Sequence, residues 1–264
     1  MKALKNLLIL SSVLLLTACG ESKQPYIKSP LDILITKHMN VNNYSVILAD
    51  MDYREETDAY YHKYRVIKQK PGALNTEGEG EFDVELTDWQ QVSDITFEQY
   101  KNDLGMTVLS KKDGVLNKKS APAGYGNYVG NKKYGSWQNN SSGSSFWVFY
   151  GQYSFMRSMF GMGSNRYYRN DYDYYRRNYY GSRSFYGRTN RYGTSTYNNR
   201  NSTWSSKPKT FKDRVRSKVS RSAAASSSRK YNSNSSYGSQ KTNRSYNRFS
   251  NSSSSRSRSG GFGK

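Results

Sequence analysis

The chain has one cysteine and two histidines in 264 residues. A single thiol cannot close an intramolecular disulfide, and it rules out cysteine-rich zinc sites and paired-thiol redox chemistry. Leucine and isoleucine stop at Leu116. Acids are scarce beyond the same region: Gly114–Lys264 holds 3 Asp/Glu against 28 Lys/Arg, whereas Gly20–Asp113 holds 17 acids and 11 bases. No G-x-S-x-G elbow, P-loop or H-E-x-x-H sequence occurs. His38 and His62 each lie on an apolar face and read as packed residues. Asp50 to Asp58, "DMDYREETD", begins like a calcium loop, but Glu55 stands where the loop needs glycine and Tyr61 where it needs a bidentate acid. That stretch reads as a solvated turn between strands. No catalytic residue, metal site or cofactor is expected, and the sequence predicts a protein that is not an enzyme.

What is present begins at the N-terminus, "MKALKNLLILSSVLLLTAC". Lys2 and Lys5 precede a nearly unbroken apolar run, Leu7 to Leu16, and small residues lead to Cys19. This is the layout of a secretory signal. A run of about ten residues is half of what a spanning helix needs. Leu16-Thr17-Ala18-Cys19 resembles the lipobox of bacterial lipoproteins, Leu-x-(Ala/Gly)-Cys. The resemblance implies that residues 1–18 are removed and that Cys19 becomes an acylated first residue. It also implies a membrane partner, and with Gly20 and Glu21 following, the outer membrane as its address. At ~0.8 kcal/mol per buried methylene, two or three acyl chains hold a protein in a bilayer durably. An acylated Cys19 also accounts for the unpaired thiol.

Residues 29–118 read as a small α+β domain, joined to the anchor by a linker over 19–28. Ser29-Pro30-Leu31-Asp32 is a helix start, and Leu31, Leu34, Ile35 and His38 follow helical spacing. "YSVILADM" and "YYHKYRVIK" are strand-like, with Tyr60, His62, Tyr64 and Val66 on one face. "EFDVEL" alternates, setting Phe82, Val84 and Leu86 against Asp83 and Glu85. Thr96–Gln99 has the form of a capping box before a short helix with Phe97, Tyr100 and Leu104 inward and Gly105 as its stop. "MTVLSKKDGVL" reads as a hairpin turning at Asp113-Gly114.

Residues 119–162 form a glycine- and aromatic-rich segment. Within it 146–162 is a candidate helix, with Phe149, Tyr153, Met156 and Phe160 on one side. Docking on the domain, lying in the membrane interface and self-association compete for that face. Its single charge, Arg157, favours docking, since interfacial helices carry a richer cationic face. Residues 163–264 are low in aliphatics and interleave tyrosine with arginine. Such a composition predicts a disordered basic tail with weak self-association through stacking and cation–π contacts. One interval differs. Over 210–226, Phe211, Val215, Val219 and Ala223 recur every four residues, with Lys212, Arg214, Arg216, Lys218 and Arg221 around them. This is a candidate basic amphipathic helix, and those five cations are the expected polyanion-binding residues.

The sequence therefore predicts an envelope lipoprotein with a structural or interaction role. Its tail would contact lipopolysaccharide, phospholipid headgroups or wall polymers. A membrane-interface or stress-related role through 146–162 is the alternative, with a small periplasmic enzyme or inhibitor domain behind it. The export signal argues against nucleic acid as the polyanion.

Overall fold

The computed structural model describes residues 27–74, 80–160, 166–199 and 201–234. Cys19 with the signal and most of the linker, and the chain from 235 onward, lie outside the described residues.

The fold is α+β, built on antiparallel strands and short helices. Pro30–Lys37 forms α1, with Pro30 in its first turn and Leu31 and Leu34 buried. Tyr44–Arg54 (β1) and Ala59–Leu74 (β2) pair antiparallel through the turn at Glu55–Asp58. Gly80–Leu86 (β3) and Gln90–Val92 (β4) both pair with β2. Asp94–Tyr100 (α2) leads to Met106–Lys112 (β5), which pairs with β1, with Val115–Asn117 (β6) and with Ala121–Pro122 (β7). The spatial order is β3-β2-β1-β5-β6 within a seven-stranded sheet. The β5–β6 turn uses Asp113 and Gly114 at φ 50° and 82°, the left-handed pair that a two-residue hairpin requires.

One irregularity sets the core. Between Leu48 and Asp50 the β1–β2 register shifts, leaving one extra residue on β1. Alternation therefore changes parity there. Val46 and Leu48 point into the same cluster as Met51 and Tyr53, which simple alternation would separate.

Both faces of the sheet are covered, and most of the cover comes from beyond residue 118. On one face Tyr60, Tyr64 and Val66 meet Phe97 of α2 and Trp204 of the four-residue helix Thr203–Ser206 (α5). Val215 and Val219 of the long helix Lys209–Asn234 (α6) complete that cluster. On the other face Ile47, Ile67 and Met106 meet residues 121–192. That segment contains the hairpin Gly135–Asn139 (β8) and Ser145–Phe149 (β9), the helix Phe155–Met159 (α3) and the helix Arg169–Asn178 (α4).

Several expectations change in extent or kind. The α+β domain does not end at 118, and the order of the chain does not stop at 163. Residues 166–199 and 201–234 are folded, with Tyr167, Tyr175, Phe185, Tyr192 and Trp204 at 7% exposure or less. The physical reason is tyrosine. Seven tyrosines stand in the second cluster, where aliphatic residues are few. Tyr125 alone has Tyr167, Tyr172, Tyr175, Phe185 and Tyr192 within 6.4 Å, centroid to centroid. Each such ring buries about 150–250 Å², so a chain poor in leucine still builds a core.

The candidate helix at 146–162 is instead strand β9, a 3₁₀ turn at Gly151–Tyr153 and the short α3; residues 161 and 162 lie outside the described residues. Aromatic, β-branched residues at 146–149 favour the strand. The face formed by Tyr153, Met156 and Phe160 does dock on the domain, as expected. In β3, Phe82 packs inward, but Val84 and Leu86 are 40% and 51% exposed, because β3 is a sheet edge that the covering segment reaches only at one end. The α2 cap is Ser93, whose Oγ accepts from Thr96 N at 3.1 Å, so Thr96 is the third helical residue rather than the cap. The helix expected at 210–226 runs from Lys209 to Asn234.

Candidate functional site

The apolar stripe of α6 was expected to wait for a membrane or a polyanion. It is already occupied: Val215, Val219 and Ala223 are 1%, 0% and 6% exposed against the domain. Two of the five expected polyanion-binding cations are also engaged. Arg214 pairs with Glu55, and Lys218 Nζ lies 2.5 Å from Asp58 Oδ1 and 2.7 Å from the Tyr53 hydroxyl. The hydrogen bonds from Lys218 and then Tyr53 hold the Asp58 carboxyl below its ordinary range. Those to Asp58 and then Tyr53 hold the Lys218 ammonium above its own. The acidic turn thus receives the basic helix. Sequence reasoning placed both charges but did not match them; the 17 acids against 11 bases in Gly20–Asp113 hint at the match only in aggregate.

The remaining three cations behave differently. Arg221 is exposed and donates only to Ser217 O, at 3.2 Å, in its own helix. Lys212 Nζ donates to Ser205 O at 3.0 Å. Arg216 is half-buried, and its Nε–H has no hydrogen-bond partner. Lys212 and Arg216, one helical turn apart, share a face and form one wall of a cavity of about 410 Å³.

Three sets of contacts shape that cavity. The 193–198 loop is stapled to the end of α2: Thr194 N donates to Asn102 O at 2.9 Å, and Thr194 Oγ1 donates to Lys101 O at 2.8 Å. Leu104 N returns a bond to Thr194 Oγ1 at 3.1 Å. The Tyr197 ring then lies over Gly105, where any Cβ would come within 2.2 Å of it. On the floor, α5 is fixed by the Asp50 carboxylate, which accepts from Ser202 Oγ at 2.8 Å, Thr203 N at 2.6 Å and Trp204 N at 3.1 Å. Trp204 is 1% exposed, and its indole N–H is also without a partner. No acidic residue lines the cavity.

A second cationic feature covers α4 and the loop after it. Between 166 and 199 there are seven arginines and two acids. Arg176 lies 4.1 Å over Tyr180, Arg183 4.2 Å over Tyr179, and Arg188 5.7 Å over Tyr174. Tyr174 and Tyr180 are 38% and 37% exposed, so the rings present a face to solvent. The two acids are used locally, Asp173 by Arg169 at 3.6 Å and Asp171 by Arg191 at 3.9 Å. Among the described residues, Arg176, Arg183 and Arg188 have no acid within ion-pair distance. The result is a surface of guanidinium groups laid over phenol rings, held in place by Tyr175 and Phe185 in the core.

Both histidines are buried. His62 is fully buried, its Nδ1 2.9 Å from the Tyr64 hydroxyl, and burial pushes its pKa down to about 3. Burial, then Lys68 and Lys37, also lower His38. Among the described residues no cluster of histidine and acid side chains is arranged to hold a metal, and no helix is long and apolar enough to cross a membrane.

No protein-family model, curated protein or solved structure matches this chain.

Proposed function

We propose that the chain is an envelope lipoprotein, held at the outer membrane by acyl chains on Cys19, whose folded part contacts anionic envelope components. Its role in this reading is structural or interactive rather than catalytic. The observation that supports it is the arginine–tyrosine surface of α4, where Arg176, Arg183 and Arg188 lie on tyrosine rings with no acid partner among the described residues. Lipopolysaccharide phosphates, phospholipid headgroups and wall polymers all reward several cations at once, and phenol rings add stacking surface for glycans. The binding face moves accordingly, from the five cations of 210–226 to a folded patch about α4. In this reading Arg214 and Lys218 serve the domain.

The test has two parts. The Cys19→Ser chain is expected to lose processing and membrane fractionation; unchanged fractionation sinks the anchor. The same chain in soluble form is then sedimented with sacculi and with lipopolysaccharide vesicles at low and moderate salt. Binding is expected to weaken steeply with salt. Replacing Arg176, Arg183 and Arg188 together by Gln should flatten that dependence. Equal binding by the triple variant would remove the α4 surface from the account.

A further inference from the structure

We propose that the cavity between the 194–198 loop and α6 binds a phosphate group, with Lys212 and Arg216 as its cationic ligands and the Trp204 indole as a neutral donor. This site is separate from the α4 surface, and the inference stands whether or not Cys19 is acylated.

The argument is one of unmatched donors. A buried N–H that finds no acceptor is uncommon in a folded chain, and two beside one cavity point to a group that belongs there. Trp204 is 1% exposed with its Nε1–H unpartnered, and Arg216 Nε–H is in the same condition. Both residues line the same space of about 410 Å³, together with Lys212 and Ser205. Indole, guanidinium and ammonium groups only donate, so the missing partner is an acceptor. Two positive charges and no acid in the lining make that acceptor an anion. The nearest acid along the helix, Asp213, is exposed and turned to Lys209 at 2.7 Å.

Phosphate fits better than a carboxylate. The donors sit on two elements, Trp204 on α5 and Lys212 and Arg216 one turn apart on α6. A tetrahedral oxyanion offers acceptors in several directions, whereas a carboxylate offers them in a plane. The wall is also rigid where it matters: Asp50 fixes α5 through three hydrogen bonds, and Thr194 fixes the loop to α2. A site so held is preformed for its ligand. The phosphate could come from a soluble ester or from a headgroup at a membrane surface, and the chemistry of the cavity is the same for both.

The test follows the Trp204 indole N–H resonance of the Cys19→Ser chain, assigned with Trp204→Phe, during titration with inorganic phosphate and with sodium acetate. A saturable shift is expected with phosphate and a much weaker one with acetate; equal shifts would overturn the choice of phosphate. Arg216→Gln and Lys212→Gln should each weaken phosphate roughly tenfold or more while the melting temperature holds. Arg221→Gln, on the same helix but outside the cavity, should change nothing. An equal loss with Arg221→Gln would mean diffuse charge attraction and would overturn the site. Vesicles with phosphomonoester headgroups identify the source. If they move the same resonance the ligand is a headgroup, and if only soluble phosphate does the ligand is free. Silence of the resonance in every arm refutes the proposal.

Discussion

Lys218 and Asp58, 160 residues apart in sequence, meet at 2.5 Å across the seam between α6 and the β1–β2 turn. The Tyr53 hydroxyl binds both, donating to Asp58 at 2.7 Å and accepting from Lys218 at 2.7 Å. With Arg214 on Glu55, this contact turns a charge asymmetry along the sequence into an attraction within the fold. The net excess of base on the second half is therefore not all available to partners. Among the described residues, Arg176, Arg183 and Arg188 around α4 and Lys212 and Arg216 beside the cavity are cations without an acid at ion-pair distance.

The pair has a defined pH signature. The Asp58 carboxyl is lowered from 3.8, first by Lys218 and then by Tyr53, so its contribution is present above about pH 4 and lost as pH falls through its folded value. Lys218 is raised, so its contribution is full below the ordinary lysine value of 10.5 and fades only as pH rises through its folded value. Both side chains are more than a third exposed, at 40% and 66%, and solvent screening keeps the pair to about 0.2–1 kcal/mol. Lys218→Met should cost about that much at pH 7, and the difference from wild type should shrink at pH 3, as read by chemical denaturation. A penalty that stays constant from pH 7 to pH 3 would show that Lys218 acts through packing alone.

Docking of α6 rests on a thin stripe. Val219 is fully buried and Val215 is 1% exposed, both in the cluster with Tyr53, Tyr60 and Phe97. Val219→Asp would bury an unpaired carboxylate and should destabilise by about 3 kcal/mol or more. Limited proteolysis reads the consequence: 209–228 is protected in the wild-type chain and cut first in the variant. Equal cutting in both would mean that the helix does not rest on the domain.

The sheet was legible because it obeys local rules. Strand alternation at Tyr60–Val66, the Asp113-Gly114 turn and the inward Phe97 and Tyr100 of α2 are where the sequence puts them; Leu104 is buried as expected, but in the turn after a helix that ends at Tyr100 and not at Gly105. The cover over the sheet was not legible. Low aliphatic content normally means too little buried area to offset chain entropy, yet Tyr125, Tyr128, Tyr167 and Tyr175 supply that area with rings. The cavity was half legible. Lys212 and Arg216 were named as anion ligands, but their neighbour Trp204 was not, since its place depends on Asp50 fixing α5 from 152 to 154 residues away.

Asp103 gives a pH dependence of the opposite sign. It is 2% exposed and accepts from Ser120 Oγ at 2.5 Å and Tyr186 Oη at 2.6 Å. Burial raises its pKa above 3.8, and the two hydrogen bonds only partly offset that. A raised carboxyl favours the fold in acid, and that contribution is lost as pH rises through its folded value. Asp103→Asn removes the charge and keeps one of the two accepting oxygens, so the hydroxyl that faces the new NH2 has to accept instead of donate. It should be neutral or stabilising at pH 7 and should flatten the stability curve just above pH 4. A loss of several kcal/mol at pH 7 would show instead that the ionised carboxylate is needed to hold Ser120 and Tyr186.

Gly105 and Tyr197 provide the sharpest steric test of the cavity wall. Gly105 has φ +78°, and its N–H donates to Leu48 O at 2.8 Å, so its backbone is fixed on both counts. An alanine there carries a left-handed cost of about 1–2 kcal/mol. Its Cβ would also stand 2.2 Å from Tyr197 Cδ2 and 2.5 Å from Cε2, forcing the ring away and loosening the 193–198 loop. Gly105→Ala should therefore cost more than the backbone term alone. Tyr197→Ala removes the obstacle together with some packing. If the ring lies where the structure puts it, the double variant is more stable than the sum of the two single losses implies, by the steric part of the Gly105→Ala penalty. Strict additivity in urea denaturation would show that the loop already stands clear of Gly105, and the cavity wall would then not be a fixed one.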